Sequence, residues 1–324
     1  MIEPQPHLPT SDVSSETQAR SPAKPRLSLR QRIRRGLTPT KLWNTRLENF
    51  VLHADTLLRR GTTDFFMVVE VETTTACNRR CSYCPNAHFE RGLLQNQRRM
   101  SETLFDRLLD QLADLRFTGR ISPHFYGEPL LDERLERLVS KCRSRLPLAK
   151  VVVFSNGDYL TVERYLSLVE AGVDGFLVTQ HCQKELRGVT AVQAHRRAYG
   201  ARGVRFDFRT FDAETELSNR GGLVQHTVLE TKVDCNIPAE NVTINHEGDV
   251  ILCCNDYFGT VSFGNISSEH LGDIWNKPHY RRLRTQLEKG RFELEICKRC
   301  AEGRTGVMDD NTRPLTLVSP ADFA

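Results

Sequence analysis

No stretch of the 324 residues reaches the roughly eighteen consecutive apolar residues that a membrane span needs, and no apolar stretch follows the N-terminus as in a secretory signal. Mean hydropathy is −0.44. The chain is therefore expected to be soluble and cytoplasmic, with no membrane partner. Tryptophan is scarce, at two residues, yet hydrophobic residues make up 39% of the chain, enough for one large core or two smaller ones. Net charge is also small: 45 Lys and Arg against 41 Asp and Glu leave +4, and residues 1–36, with seven basic and three acidic residues, account for all of it. A neutral body argues against a nucleic-acid surface. What the chain does have is ten cysteines. Without an export signal a disulfide framework is the wrong default, and metal ligation is the better one.

Residues 1–36 combine Pro, Ser, Thr and Arg with almost no aromatic content, which reads as a disordered basic tail. Residues 37–64 read as a helical extension: Leu42, Leu47, Val51, Leu52, Leu57 and Leu58 recur at helical spacing between Lys41 and Arg60, as in an amphipathic helix packed on the main domain. Strand-like runs follow at Phe65–Val71, Ile121–Tyr126, Val151–Ser155, Gly175–Thr179 and Val204–Phe208, with helical patterns between them such as Leu104, Leu108, Leu109, Leu112 and Leu115. This alternation over residues 65–230 predicts an α/β fold with a parallel sheet wrapped by helices, its active residues at the C-terminal strand ends. From residue 231 to 308 the pattern changes to a β-hairpin, Asn241–Asn245 and Asp249–Cys253, then an amphipathic helix from about Glu269 to Lys289 and a closing Cys297-Lys298-Arg299-Cys300. So short a unit builds little core of its own, and a metal site is a plausible staple. Residues 309–324 read as a tail.

Two cysteine groups carry the chemistry. Cys77, Cys81 and Cys84 lie just past the first strand, three thiolates on one loop. A structural zinc site wants four closed ligands, whereas a [4Fe–4S] cluster held by three leaves one iron open for a small-molecule ligand. The second group, Cys235, Cys253, Cys297 and Cys300, supplies four ligands and reads as a closed site, with zinc as the alternative to a second cluster. Cys142 sits in a helical pattern and reads as core, and Cys254 as a spare buried thiol or a hydrogen-atom donor. Cys182, after His181 at a strand end, is ambiguous.

The C-x3-C-x2-C spacing with Tyr83 before the last cysteine resembles the radical S-adenosylmethionine (SAM) enzymes, and the second group resembles their truncated SPASM domain, called twitch. That resemblance implies a partial (β/α)6 barrel followed by a small hairpin-plus-helix auxiliary domain, with two [4Fe–4S] clusters and SAM as cofactors. It further implies that SAM meets Tyr83, the Gly127-Glu128-Pro129 element, Ser155-Asn156 and Gln180. Ile121-Ser122-Pro123-His124-Phe125-Tyr126, Val178-Thr179-Gln180-His181 and Leu217-Ser218-Asn219-Arg220-Gly221-Gly222 look more narrowly like the twitch-domain dehydrogenases of amino-cyclitols. The implied reaction is hydrogen-atom removal from a carbinol carbon by a 5′-deoxyadenosyl radical, followed by electron transfer to the auxiliary cluster. Arg220 is then an orienting donor to the substrate hydroxyl, because a guanidinium is a poor general base. Tyr126 and His181 are candidate substrate or proton-relay contacts. The implied partners are a small cyclitol or sugar and a flavodoxin or ferredoxin type electron donor. The rival activities are a radical epimerase of a sugar or aminoglycoside and a peptide-modifying enzyme.

Overall fold

The computed structural model describes residues 54, 56–181, 184–201, 203–211, 217–224 and 232–302. The expected tails at 1–36 and 309–324, most of the 37–64 extension, and Cys182 lie outside the described residues. Of the extension, residues 56–60 are helical, but Leu57 and Leu58 are 50% and 86% exposed. Arg60 makes the contact there instead, stacking over Phe65 and donating to the Leu115 carbonyl at 2.6 Å.

The barrel strands are β1 (Val68–Val71), β2 (Arg120–Ser122), β3 (Lys150–Ser155), β4 (Gly175–Gln180) and β5 (Arg205–Thr210). Between them run α1 (Glu102–Asp114), α2 (Leu135–Arg145), α3 (Val162–Ala171) and α4 (Arg187–Tyr199). Helix α1 starts where the Ser101 hydroxyl accepts from the Leu104 amide, a cap that contributes about 1 kcal/mol. Its Phe105, Leu108, Leu109 and Leu112 then fall on one face and are buried, each stabilising the fold by roughly 1.5–3 kcal/mol. Alternation within the strands sorts the two sheet faces. Val69 and Val71 of β1 and Val151 and Val153 of β3 join the main core, while Val152 and Phe154 pack with Leu177 in a second small cluster.

One sheet holds all eight strands in the order β5-β4-β3-β2-β1-β6-β7-β8, where β6 is Asn241–Ile244, β7 Asp249–Ile251 and β8 Ser262–Asn265. The expected hairpin is there, with Thr243 opposite Ile251, but β6 also pairs parallel to β1. The hairpin therefore continues the barrel sheet as its sixth parallel strand, after a single-turn helix α5 (Ile237–Glu240). The helix expected from Glu269 to Lys289 is two helices, α6 (Leu271–Asn276) and α7 (Pro278–Glu288). Pro278 lacks an amide proton and forces Lys277 into an extended conformation, ψ 133°, which breaks the helix. Arg284 of α7 lies over the Trp275 ring and pairs with Asp64 at 2.8 Å, tying this unit to the entry of the barrel. Helix α8 (Glu295–Glu302) carries the last two cysteines.

Candidate active site

The loop from Cys77 to Cys84 follows β1 and is held to the end of β3 by Asn156 and Asp158. Asp158, past β3, accepts from Asn78 at 2.6 Å and from the Arg79 guanidinium at 2.6 and 2.5 Å, and these partners hold its carboxyl below the usual carboxylate range. Asn156 donates to Asn78 at 2.9 Å. Burial pushes the Cys77 thiol up to about 12 and raises Cys84 as well.

Gly127, Glu128, Ser155 and Asn156 come together beside this loop. Glu128 is buried and its carboxylate accepts from the Ser155 hydroxyl at 2.8 Å, the Asn156 amide at 2.8 Å and the Leu130 amide at 3.0 Å. Burial outweighs these donors and raises its carboxyl to about 7. A carboxylate offers about four acceptor positions, so three protein donors leave room for one more, such as an ammonium. Gly127 is sterically required: a Cβ there would stand 2.0 Å from the Thr74 carbonyl oxygen. Pro129 opens the short turn that follows, Pro129–Leu131. Tyr83 and His181 meet at 2.5 Å and pack with Phe211, so His181 adjoins the cysteine loop and not Tyr126. Burial, then the charge of Arg79, brings the His181 imidazole down to about 4. Gln180 donates to the Lys184 carbonyl at 3.3 Å, across the mouth of β4.

Cys235, Cys253, Cys297 and Cys300 surround one cavity of about 20 Å³, closed by Ile237, Leu252, Leu287, Phe292 and Ile296. Burial raises the Cys253 and Cys297 thiols strongly. Among the described residues no three His, Cys, Asp or Glu side chains stand as one metal ion would require; the four sulfurs are soft donors of the kind that hold an iron–sulfur cluster. Cys142 is buried in α2, as expected of a core residue.

Between the two cysteine groups lies a polar interior. Glu70 of β1 faces Arg120 of β2 at 3.7 Å and accepts from Thr243 of β6 at 3.3 Å. Ser122 ends β2, and His124 and Tyr126 lie in the turn after it, where the His124 amide donates to the Ser122 carbonyl. The Ser122 hydroxyl, His124 Nδ1, the Tyr126 hydroxyl and Arg220 Nε are all buried with no hydrogen-bond partner. His124 stacks on Phe154 at 4.3 Å, and burial brings its imidazole down to about 3. Burial also raises the Tyr126 hydroxyl well above 10, so it stays a donor, and Arg220 is its strongest electrostatic neighbour. Arg220 also feels Cys254, Cys84 and Cys300, which puts it between the two groups. It is presented in a left-handed conformation, φ 52°, followed by Gly221 and Gly222 at 69° and 91°. A Cβ on Gly221 would meet Ile296 at 2.6 Å and one on Gly222 would meet Arg299 at 2.8 Å. The two glycines thus let α8, with its cysteines, pack against the turn that carries Arg220.

The comparisons agree with this layout. Residues 71–208 match the radical SAM superfamily and residues 235–301 an iron-sulfur cluster-binding domain, SPASM. The chain is 35% identical over 240 residues to the S-adenosyl-L-methionine-dependent 2-deoxy-scyllo-inosamine dehydrogenase of Niallia circulans, covering 72% of this chain and 92% of that protein. The chain belongs to the radical SAM superfamily. As a radical SAM oxidoreductase it uses SAM, a SAM-binding iron–sulfur cluster and an auxiliary one. Its fold matches the crystal structure of BtrN in complex with AdoMet and 2-DOIA with a TM-score of 0.66 and 30% identity, covering 78% of this chain and 97% of that one. A 119-residue stretch, 35% of each chain, is 28% identical to the GTP 3′,8-cyclase of Aquifex aeolicus (strain VF5). No helix among the described residues is long and apolar enough to cross a membrane.

Proposed function

We propose that this radical SAM enzyme oxidises a secondary alcohol of an amino-cyclitol or sugar to a ketone. The observation that carries this reading is the set of four partnerless buried polar atoms, on Ser122, His124, Tyr126 and Arg220. A buried polar atom without a partner costs about 1–3 kcal/mol, and a polyhydroxylated ring satisfies several at once. The relative named above is a 2-deoxy-scyllo-inosamine dehydrogenase, which supports the same class.

In this reading Cys77, Cys81 and Cys84 hold the SAM cluster, and Cys235, Cys253, Cys297 and Cys300 the auxiliary cluster. When bound, SAM and its cluster supply a 5′-deoxyadenosyl radical that takes a hydrogen atom, and the auxiliary cluster takes one electron. Glu128 would hold the SAM ammonium at its remaining acceptor position, with Gly127, Pro129, Ser155 and Asn156 beside it. Tyr83, bonded to His181, and Gln180 are the further residues that would meet SAM. Arg220 donates to the reacting hydroxyl and stabilises its oxygen as the proton leaves. It does not take that proton, since its own pKa is raised above that of an ordinary guanidinium. Tyr126 donates to a neighbouring hydroxyl. His181, the candidate proton relay, has its Nδ1 taken by Tyr83 and its imidazole brought down to about 4, so it is a weak acceptor for that proton, which passes to solvent. The electron donor is of flavodoxin or ferredoxin type, and the enzyme works in the cytoplasm.

One observation favours an epimerase as a second reading. Cys254 sits near Glu70 and Arg220, and burial holds its thiol up at about 12, so it keeps a hydrogen to give. The test is turnover of anaerobically reconstituted enzyme with SAM, a reductant and 2-deoxy-scyllo-inosamine in deuterated water. A two-hydrogen mass loss in step with 5′-deoxyadenosine supports oxidation. One deuteron gained without net oxidation supports epimerisation and refutes the dehydrogenase.

A further inference from the structure

Asn255 follows the two adjacent cysteines of the hairpin arm and is 4% exposed. Its backbone amide donates to Cys253 Sγ at 3.4 Å and its side-chain amide to Cys300 Sγ at 3.5 Å. Its Oδ1 accepts from the Ser218 hydroxyl at 3.0 Å and from Arg220 Nη1 at 3.4 Å. The amide orientation is forced: a guanidinium has no acceptor, so the oxygen faces Arg220 and the NH₂ faces the sulfur. One side chain thus spans from a cysteine of the second group to the arginine placed on the reacting hydroxyl.

We propose that Asn255 sets the reduction potential of the auxiliary cluster. Each added electron makes the cluster and its thiolates more negative, and N–H donors to the sulfurs stabilise that reduced form. Two donors from one residue therefore make the cluster a better acceptor. The electron concerned is the one that remains when an alcohol carbon has given a hydrogen atom to the adenosyl radical and its hydroxyl has lost a proton. Carbonyl, proton and one reduced cluster close the balance. Asn255 acts through Cys253 and Cys300 and through Arg220, so it is a positioning residue. An aspartate at this position keeps the acceptor for Ser218 and Arg220 but replaces the donor to Cys300 by a negative charge.

The proposal rests on the ligand assignment under Proposed function, and the test separates the two. Holoenzyme, Asn255→Leu and Asn255→Asp are titrated anaerobically without substrate, and the potential of each cluster is read by electron paramagnetic resonance with iron content determined in parallel. The auxiliary potential is expected to fall in the order wild type, Asn255→Leu, Asn255→Asp. The Leu variant should lose about tenfold in the reduced-to-oxidised ratio, about 59 mV for one electron. The SAM-cluster potential should stay in place. In turnover Asn255→Asp should lower kcat more than it raises KM, because Arg220 keeps its partner. Unchanged auxiliary potentials in both variants would overturn the proposal. So would loss of the auxiliary cluster from the isosteric Asp variant, which would make Asn255 an assembly residue. A wild-type protein without a second cluster signal would overturn the ligand assignment and this proposal with it.

Discussion

Tyr126→Phe should move stability and activity in opposite directions. The ring packs edge-on against Tyr257 at 4.7 Å and Phe125 at 4.6 Å, contacts that phenylalanine keeps. The hydroxyl is buried, and no group among the described residues bonds it. Such a group costs about 1–3 kcal/mol, and removing it leaves a void smaller than a methyl group, so a net gain of about 1–2 kcal/mol is expected. At roughly 2–4 °C per kcal/mol for a protein of this size, the melting temperature of cluster-loaded, substrate-free enzyme should rise by about 2–8 °C. With substrate the sign reverses: a ring hydroxyl now lacks its donor, a loss of about 1.4–2.8 kcal/mol, or tenfold to a hundredfold in kcat/KM. Thermal denaturation with and without 2-deoxy-scyllo-inosamine, alongside turnover, measures both. Wild type should also gain more from added substrate than the variant does. A melting temperature that falls, or a kcat/KM that does not change, would refute the idea that this hydroxyl is kept unpaired for a ligand.

Three further perturbations probe the frame. Gly127→Ala sets a methyl 2.0 Å from the Thr74 carbonyl oxygen, and since the clash is with backbone, about 2–4 kcal/mol of stability and most SAM affinity should be lost in denaturation and anaerobic calorimetry. Asp158→Ala removes the acceptor of Asn78 and Arg79 and should weaken SAM binding several-fold while leaving the auxiliary cluster's absorbance and iron intact. His124 gives a pH dependence. Its folded value of about 3 lies below an unfolded value near 6.5, so its stabilising contribution is whole above about pH 6.5 and is lost as pH falls toward 3. Between pH 7 and pH 5 this residue should account for about 2 kcal/mol of lost stability, absent in His124→Phe, as read by denaturant midpoints at the two pH values.

The barrel was legible because its strands alternate with helices whose apolar faces repeat at helical spacing, and the cysteine spacing needs no fold to be read. What escaped was set by pairing and by close approach. Nothing in Asn241–Ile244 announces that it pairs with β1 as well as with β7, since a half-buried hairpin strand and an added barrel strand share one apolar alternation. The break at Pro278 was written in the sequence, but the apolar spacing on either side of it outweighed the missing amide proton. His181 stands at a strand end, which marks it as a candidate substrate or proton-relay contact, but its bond to Tyr83, 98 residues away, has no local signal. Asn255 stands out in the sequence only as the residue after Cys254, because its role depends on where Cys253, Cys300 and Arg220 stand in space. Gly221 and Gly222 explain that juxtaposition, for they remove the two side chains that would hold α8 away from the Arg220 turn. A methyl group added at Gly222 should therefore reach the chemistry from outside the pocket, by moving Arg220 and Cys300 apart together.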